Sequence, residues 1–301
     1  MGKLFDQVLL LKLMDGETLD RAVKSTLKEL KEFCGVSYMV TKPTGNLKVI
    51  KSMAEDNVYT GILHLAPHKL SQTKAYEYKF GGVIDSGPGL NTCPWAGSCV
   101  SVCLNTAGHG GIGLDGDGLN NCQRARIRRT RALFHRSMAV KVRAWELLKR
   151  DIARIEKYAR KIDMIPAIRL NGTSDIRWER VKDPVTGKTI PELFPNIQFY
   201  DYTKADIDKY RKGRTRNYHL TFSRQPENDE QALRHLENGH NVAVCFEKMP
   251  KTWKGFEVKN ADKSDARMFD KSTDGRGLVM GLGPKGQAVN STNGFVIREA
   301  A

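Results

Sequence analysis

With 301 residues, of which 40% are hydrophobic and 28% charged, the chain has the balance of a folded protein with a sizeable core, which excludes a low-complexity or disordered class. No stretch reaches the roughly 18 uninterrupted apolar residues of a membrane helix, so no membrane partner is expected. The net charge of +15, from 49 Lys+Arg against 34 Asp+Glu, suits either polyanionic partners, most commonly nucleic acid, or a protein that is simply basic.

The start, MGKLFDQVLLLKLMDGETLD, has acids around its apolar run and no small-residue cleavage site, so a secretion signal is not expected. Gly2 resembles a myristoylation start, but Asp6 stands where Ser or Thr is needed. The expected location is the cytoplasm, where thiols stay reduced and available to metals.

Residues 17–34 place Leu19, Val23, Leu27, Leu30 and Phe33 at helical spacing, with Gly35 as a stop. Residues 1–55 therefore read as an N-terminal helical extension, and 56–301 as a single α/β domain. NVYTGILHLAPHKLSQ and KAYEYKFGGVIDSGPGLNTC read as extended segments, the second leading into a cysteine loop.

That loop, NTCPWAGSCVSVCLNTAGHGG, holds Cys93, Cys99 and Cys103, and Cys122 follows beyond a glycine-rich stretch. Structural zinc sites place ligand pairs two to four residues apart, twice over. Here five residues and then three separate the first three cysteines, and Cys122 stands alone. Such spacing suits a loop wrapped round a larger inorganic cluster, with glycines letting backbone amides approach sulfur. Cys93, Cys99, Cys103 and Cys122 are thus the candidate metal ligands, and a 4Fe-4S cluster is the expected cofactor. Zinc on a nucleic-acid-binding module is the weaker alternative. Cys34 and Cys245 read as small core residues, and His109 as an exposed loop residue. The acidic run Asp115–Gly118 lacks the remaining ligands of a calcium loop.

After Cys122 comes a long amphipathic signal. Ile127, Phe134, Met138, Val142, Trp145, Leu148, Ile152, Ile155 and Ala159 recur every three or four residues, over one helix or two. Its start carries Arg124, Arg126, Arg128, Arg129 and Arg131 with no acid. These arginines are candidate phosphate contacts for nucleic acid, counter-charges for a thiolate-bound cluster, or a solvated helix face.

From residue 165 short β-rich runs alternate with polar or helical stretches: IPAIRLNG, NIQFYDYT, NYHLTFSR, HNVAVCFEK and GLVMGLGPKG. This texture implies βα units and a mainly parallel sheet. The helices are too few for eight units, so the expected fold is an α/β partial or irregular (βα) barrel. Its strand ends carry Arg169, Asn171, Ser174, Asp175, Asp201, Lys204, Ser223 and Arg224, a candidate small-ligand or cofactor pocket. Taken singly, each also suits capping or loop hydrogen bonding. GLGPKG reads as a turn, since it lacks the Lys-Ser/Thr pair of a phosphate loop.

With HLAPHKLS, NTCPWAGSCVSVCLNTAGHG, IRLNGTSDIRWE, IQFYDYTK and NYHLTFSRQPEN in order, the chain resembles the bacteriophage family catalogued as gene product eighty-eight, over roughly residues 60–296. A phage origin would make the location the host cytoplasm. The layout is also similar to radical S-adenosylmethionine enzymes: an early strand, a three-cysteine loop, then βα units. That resemblance implies three cysteines on three irons, and S-adenosylmethionine on the fourth. The usual spacing of three and then two residues is here five and then three. If Cys122 is a fourth ligand, the position for S-adenosylmethionine is closed. The expectation is a phage iron–sulfur protein with a redox or structural role near nucleic acid, the alternative a radical enzyme or its derivative. Protein partners and substrate are not specified by the sequence.

Overall fold

The computed structural model describes residues 35–43, 47–70, 90–113, 119–135 and 138–298. The helix expected at 17–34, Cys34 and residues 74–89 of the second extended segment lie outside the described residues.

The chain builds a ten-stranded mixed sheet. Its centre is β2 (Val58–Leu63), β3 (Ile165–Arg169), β4 (Gln198–Thr203), β5 (Tyr218–Ser223) and β6 (Val242–Phe246), each parallel to its neighbour. These runs are rich in β-branched and aromatic residues, and all six residues of β2 are buried. Near-continuous burial is what a parallel strand covered on both faces requires. Beyond β6 the order continues through β9 (Val279–Leu282), β8 (Phe256–Asn260) and β7 (Thr252–Trp253), with β7 antiparallel to β8. At the other end β1 (Val40–Thr41) lies antiparallel on β2. β1 and β7 do not pair with each other, so the sheet stays open.

A last strand, β10 (Val296–Ile297), pairs with β6 at Cys245 and Phe246. The other edge of β6 at Cys245 is taken by Leu282 of β9. β5 meets β6 only at Val242 and Ala243. β10 therefore continues the β5 side of β6 towards its carboxyl end.

The long amphipathic stretch forms two helices, α2 (Asn121–Leu133) and α3 (Met138–Lys161), preceded in the chain by α1 (Leu47–Asp56). Trp145 Nε1 donates to Leu133 O at 3.3 Å, satisfying one of the carbonyls a helix C-terminus leaves open. α3 buries Ala144, Trp145, Leu148, Ile152, Ile155 and Ala159 in the main core. Gly61 of β2 lets it approach: a Cβ there would lie 2.7 Å from Val40 Cγ1 and 3.0 Å from Ile155 Cγ1. Asp151 on α3 anchors the sheet edge, its Oδ2 accepting from Met39 N at 2.7 Å and Val40 N at 3.3 Å. Thus β1 and α1 belong to the α/β body, and the expected boundary at 55/56 falls inside α1.

Short helices α4 (Ile190–Leu193) and α5 (Ile207–Tyr210) and the longer α6 (Asp229–Glu237) connect the later strands. Alternation splits each strand between two faces. Phe199, Leu220, Val242 and Val244 enter the main core with α3. Ala167 and Tyr200 pack on the opposite face with Ala266, and Ala243 and Met280 with Ala261.

Candidate metal centre and strand-end wall

The cysteine loop lies across the carboxyl ends of the parallel strands. Thr92 is buried and pins its start, with Oγ1 donating to Ala66 O at 2.6 Å and its amide to His68 O at 3.1 Å. Its carbonyl accepts from Asp175 N at 2.8 Å, beyond β3. The Cys93 thiol faces Thr173 O at 3.9 Å. Further along, Gln225, just past β5, donates from Nε2 to Trp95 O at 3.2 Å, and Glu227 accepts from Ser98 N and Oγ at 3.0 Å each. Asn293 Nδ2 holds Ser98 O at 3.2 Å and Ser101 Oγ at 3.0 Å. Val102 packs with Ala288 and with Val296 of β10, so both ends of the sheet's middle section hold the loop.

Three short turns follow each other here, Ser98–Val100, Leu104–Thr106 and Gly108–Gly111. The glycines allow the close packing: a Cβ on Gly110 would sit 2.2 Å from Asn105 O. Asn120 caps α2 by accepting from Gln123 N at 3.0 Å, and its amide donates to His109 O and Ile112 O. The His109 side chain is exposed, as expected.

Cys93, Cys99 and Cys103 are partly buried free thiols, whereas Cys122 is exposed in the first turn of α2. Burial pushes the Cys93 thiol up to about 11, and Asp175 and Cys103 add to the effect against hydrogen bonds from His68 and Thr92. Burial also raises Cys103, helped by Cys99 and opposed by the Asn105 amide, Arg126 and Lys204. Cys103 is therefore close enough to influence Cys93 and to be influenced by Cys99. Cys103 Sγ accepts from Asn105 N at 3.5 Å, and Arg126 donates to Asn105 Oδ1 at 2.6 Å. Burial lowers Arg126, and the nearby Cys122 and Cys103 pull it back up.

Three thiolates on one tetrahedral zinc at ~2.3 Å would sit ~3.8 Å apart. Among the described residues no three cysteine sulfurs lie within 4.8 Å of one another. Among the described residues the loop thus does not present a ready single-ion site of three sulfurs. Cys245 lies mid-strand beside Val102 and Val296, its thiol also raised by burial, to about 11.

The strand-end residues divide by side-chain parity. On the helical face, Asp201 accepts from Asn171 N at 2.8 Å and from Tyr218 Oη at 2.7 Å. Burial raises Asp201 to about 7, against Arg169 and the Tyr218 hydrogen bond. Asn171 Oδ1 in turn accepts from Ser174 Oγ, Ile176 N and Trp178 Nε1. Asp175 accepts from Thr203 Oγ1 at 2.7 Å and Lys204 N at 2.8 Å. Arg211 closes the network with two bonds to Glu179, at 2.6 and 3.0 Å. Asn171, Ser174, Asp175 and Asp201 are thus buried and internally bonded. Arg224 is engaged too, with Asp229 at 2.6 Å and with Gly294 O.

On the opposite face stand Arg169, Tyr202, Thr221 and Ser223. Arg169 pairs with Asp265 at 2.8 Å and lies over the rings of Tyr202 and Tyr200. Lys204 donates to Ser223 Oγ at 2.8 Å. Arg169 Nε, Tyr202 Oη and Thr221 Oγ1 are buried and have no hydrogen-bond partner, and Tyr202 and Thr221 sit side by side in register. Buried polar atoms are normally paired, so three orphans on one wall ask for a missing partner. His64, beyond β2, joins this region. Burial and then Arg126, Arg129 and Arg169 lower it to about 3, which keeps its imidazole neutral. Sequence reading passed over His64; alternation along each strand was the signal that could have paired Tyr202 with Arg169 and Ser223.

The α2 arginines are largely turned inward. Arg129 and Arg131 are buried, and Arg124, Arg126 and Arg128 are half-buried. Arg129 donates to Tyr38 O at 3.0 Å and lies 4.5 Å over its ring.

Fold and site together define an open, mainly parallel α/β protein with a cysteine-rich loop across the carboxyl ends of its strands and a polar wall beside it. A family model described as Gene product 88 matches residues 47–299, and the chain belongs to that family. Comparison with curated proteins and with solved structures returns no match. Among the described residues no helix is long and apolar enough to cross a membrane.

Proposed function

We propose that the chain binds a four-iron, four-sulfur cluster through Cys93, Cys99 and Cys103, and that a small polar ligand binds beside it against Arg169, Tyr202, Thr221 and Ser223. What supports this reading is that Cys103 lies within electrostatic reach of both Cys93 and Cys99, all three free and half-buried, and that the strand-end wall beside the loop holds buried polar atoms without partners. Lys204 links the two, since its ammonium holds Ser223 and also lies near enough to Cys103 to favour its thiolate. When bound, the cluster would supply one-electron chemistry, and with three thiolates one iron is left for a ligand of other chemistry. In that form the open parallel sheet acts as a partial barrel, and an amino-carboxylate ligand such as S-adenosylmethionine fits both the free iron and a wall bearing Arg169. A second reading rests on Arg126, which lies near both Cys103 and Cys122. There Cys122 completes the cluster, and the protein has a redox or structural role.

The test is the iron, sulfide and zinc content of protein purified without oxygen, for wild type, Cys93→Ser and Cys122→Ala. The expected result is ~4 irons and ~4 sulfides in wild type and Cys122→Ala, with loss in Cys93→Ser. S-adenosylmethionine should then change the magnetic resonance spectrum of the reduced cluster. Loss in Cys122→Ala would establish the saturated form. Zinc without sulfide would overturn both.

A further inference from the structure

We propose that Asp208, His235 and His240 bind a divalent transition-metal ion of the zinc or cobalt type, at a site separate from the cysteines. Asp208 is brought on the helical side of the sheet to His235 and His240, which flank a single chain reversal. Asp206 caps α5 by accepting from Lys209 N at 3.0 Å, which fixes Asp208 in the first turn. His235 lies in the last turn of α6. Gly239 then takes φ +81, the left-handed conformation that glycine adopts without strain, and turns the chain back. His240 N accordingly donates to His235 O at 2.8 Å, and the two imidazoles stand 5.4 Å apart, edge to face.

The ligand atoms of all three residues lie within 4.8 Å of one another. His240 Nε2 is 2.7 Å from one oxygen of Asp208, and His235 Nδ1 is 3.4 Å from the other. A hydrogen-bonded polar cluster would account for His240 and for Asn238, whose Nδ2 donates to Asp208 Oδ2 at 3.1 Å. It does not account for His235. That side chain is fully buried, and its Nδ1, 3.4 Å from Asp208 Oδ2, makes no hydrogen bond. A buried ring nitrogen left unpaired is costly, and a cation between it, Asp208 and His240 would satisfy it.

Two imidazoles and one carboxylate are a borderline donor set, suited to zinc or cobalt rather than calcium or magnesium. Metal on Nδ1 places the proton of His235 on Nε2, where Asp206 Oδ1 lies 3.7 Å away. That separation is longer than a hydrogen bond, and closing it would give the outer carboxylate that metal-bound histidines commonly use. The long contact from Ile207 N to Nε2, 3.4 Å, is given up in exchange. Three protein ligands leave a position for water, and Asp208 borders a groove of about 640 Å³ that includes Lys209, Tyr210, Arg234 and Asn238.

Metal-free protein, kept reduced, is titrated with cobalt. The expected spectrum has visible bands for one equivalent without thiolate charge transfer, and zinc should raise the melting temperature. His240→Ala and Asp208→Asn each alter a partly exposed side chain, so the fold should tolerate them. Each should weaken cobalt binding at least ~10-fold and abolish the zinc-dependent rise. Cys93→Ser should leave the bands in place, which separates this site from the proposed cluster. Absence of a sulfur-free cobalt spectrum, or wild-type affinity in both variants, would overturn the proposal.

Discussion

Arg211 has no exposed surface, and its guanidinium serves Glu179, Asp175, Thr203 and Tyr218 at once. Removing one partner of a buried ion pair leaves uncompensated charge. Arg211→Met should therefore cost ~3–5 kcal/mol of unfolding free energy, measured by denaturant titration; a loss below ~1 kcal/mol would show that the network relaxes. Asp201 gives a pH signature. Its folded pKa, about 7, lies above the ordinary ~3.9 of an unfolded aspartate. The unfolded chain therefore ionises first, and this group's contribution to stability falls as pH rises from ~4 to ~7. Asp201→Asn keeps an acceptor for Asn171 N and removes the titration. The wild-type-minus-Asn difference should decline by on the order of 1 kcal/mol per pH unit across that window and be flat outside it. A flat difference throughout would mean that Asp201 is ionised in the folded protein.

At the scale of elements, the cysteine loop owes its shape to contacts with five separate segments rather than to internal regularity. Gly110→Ala forces a Cβ to 2.2 Å from Asn105 O, so the turn carrying Cys103 and its Asn105 amide must shift. The reactivity of Cys103 and Cys93 towards a thiol reagent should rise several-fold, with a smaller loss of global stability than in Arg211→Met. Unchanged reactivity would place the loop's rigidity elsewhere. Helix α2 shows what composition leaves open at this scale. Its run of arginines reads as a basic stripe, yet Arg129 is spent on Tyr38 and Arg131 is buried. The five β-rich runs after residue 165, by contrast, each became a strand, and the long amphipathic stretch became α2 and α3. β1, β7 and β10, two residues each, carry no periodicity to read.

For the whole molecule, a net charge of +15 predicts salt-sensitive association with a polyanion such as duplex DNA. Because Arg129 is internal, Arg129→Ala should lower stability while leaving the slope of log affinity against log salt unchanged. A flatter slope would put α2 at the contact. The sequence by itself determined the α/β class, the strand runs and the clustering of thiols, because these follow from local composition and period. It also carried the family, through an ordered set of motifs that the family match bears out over residues 47–299. Tertiary structure alone decided which partners the strand-end residues meet: Lys204 with Ser223, and Asp201 with Tyr218 and Asn171. It also left Cys122 exposed and brought Asp208 beside His235 and His240. The reason is that depth and partners depend on strand register and on chain reversals, which join residues far apart in sequence and leave no local signature, whereas the face of a strand residue follows from alternation.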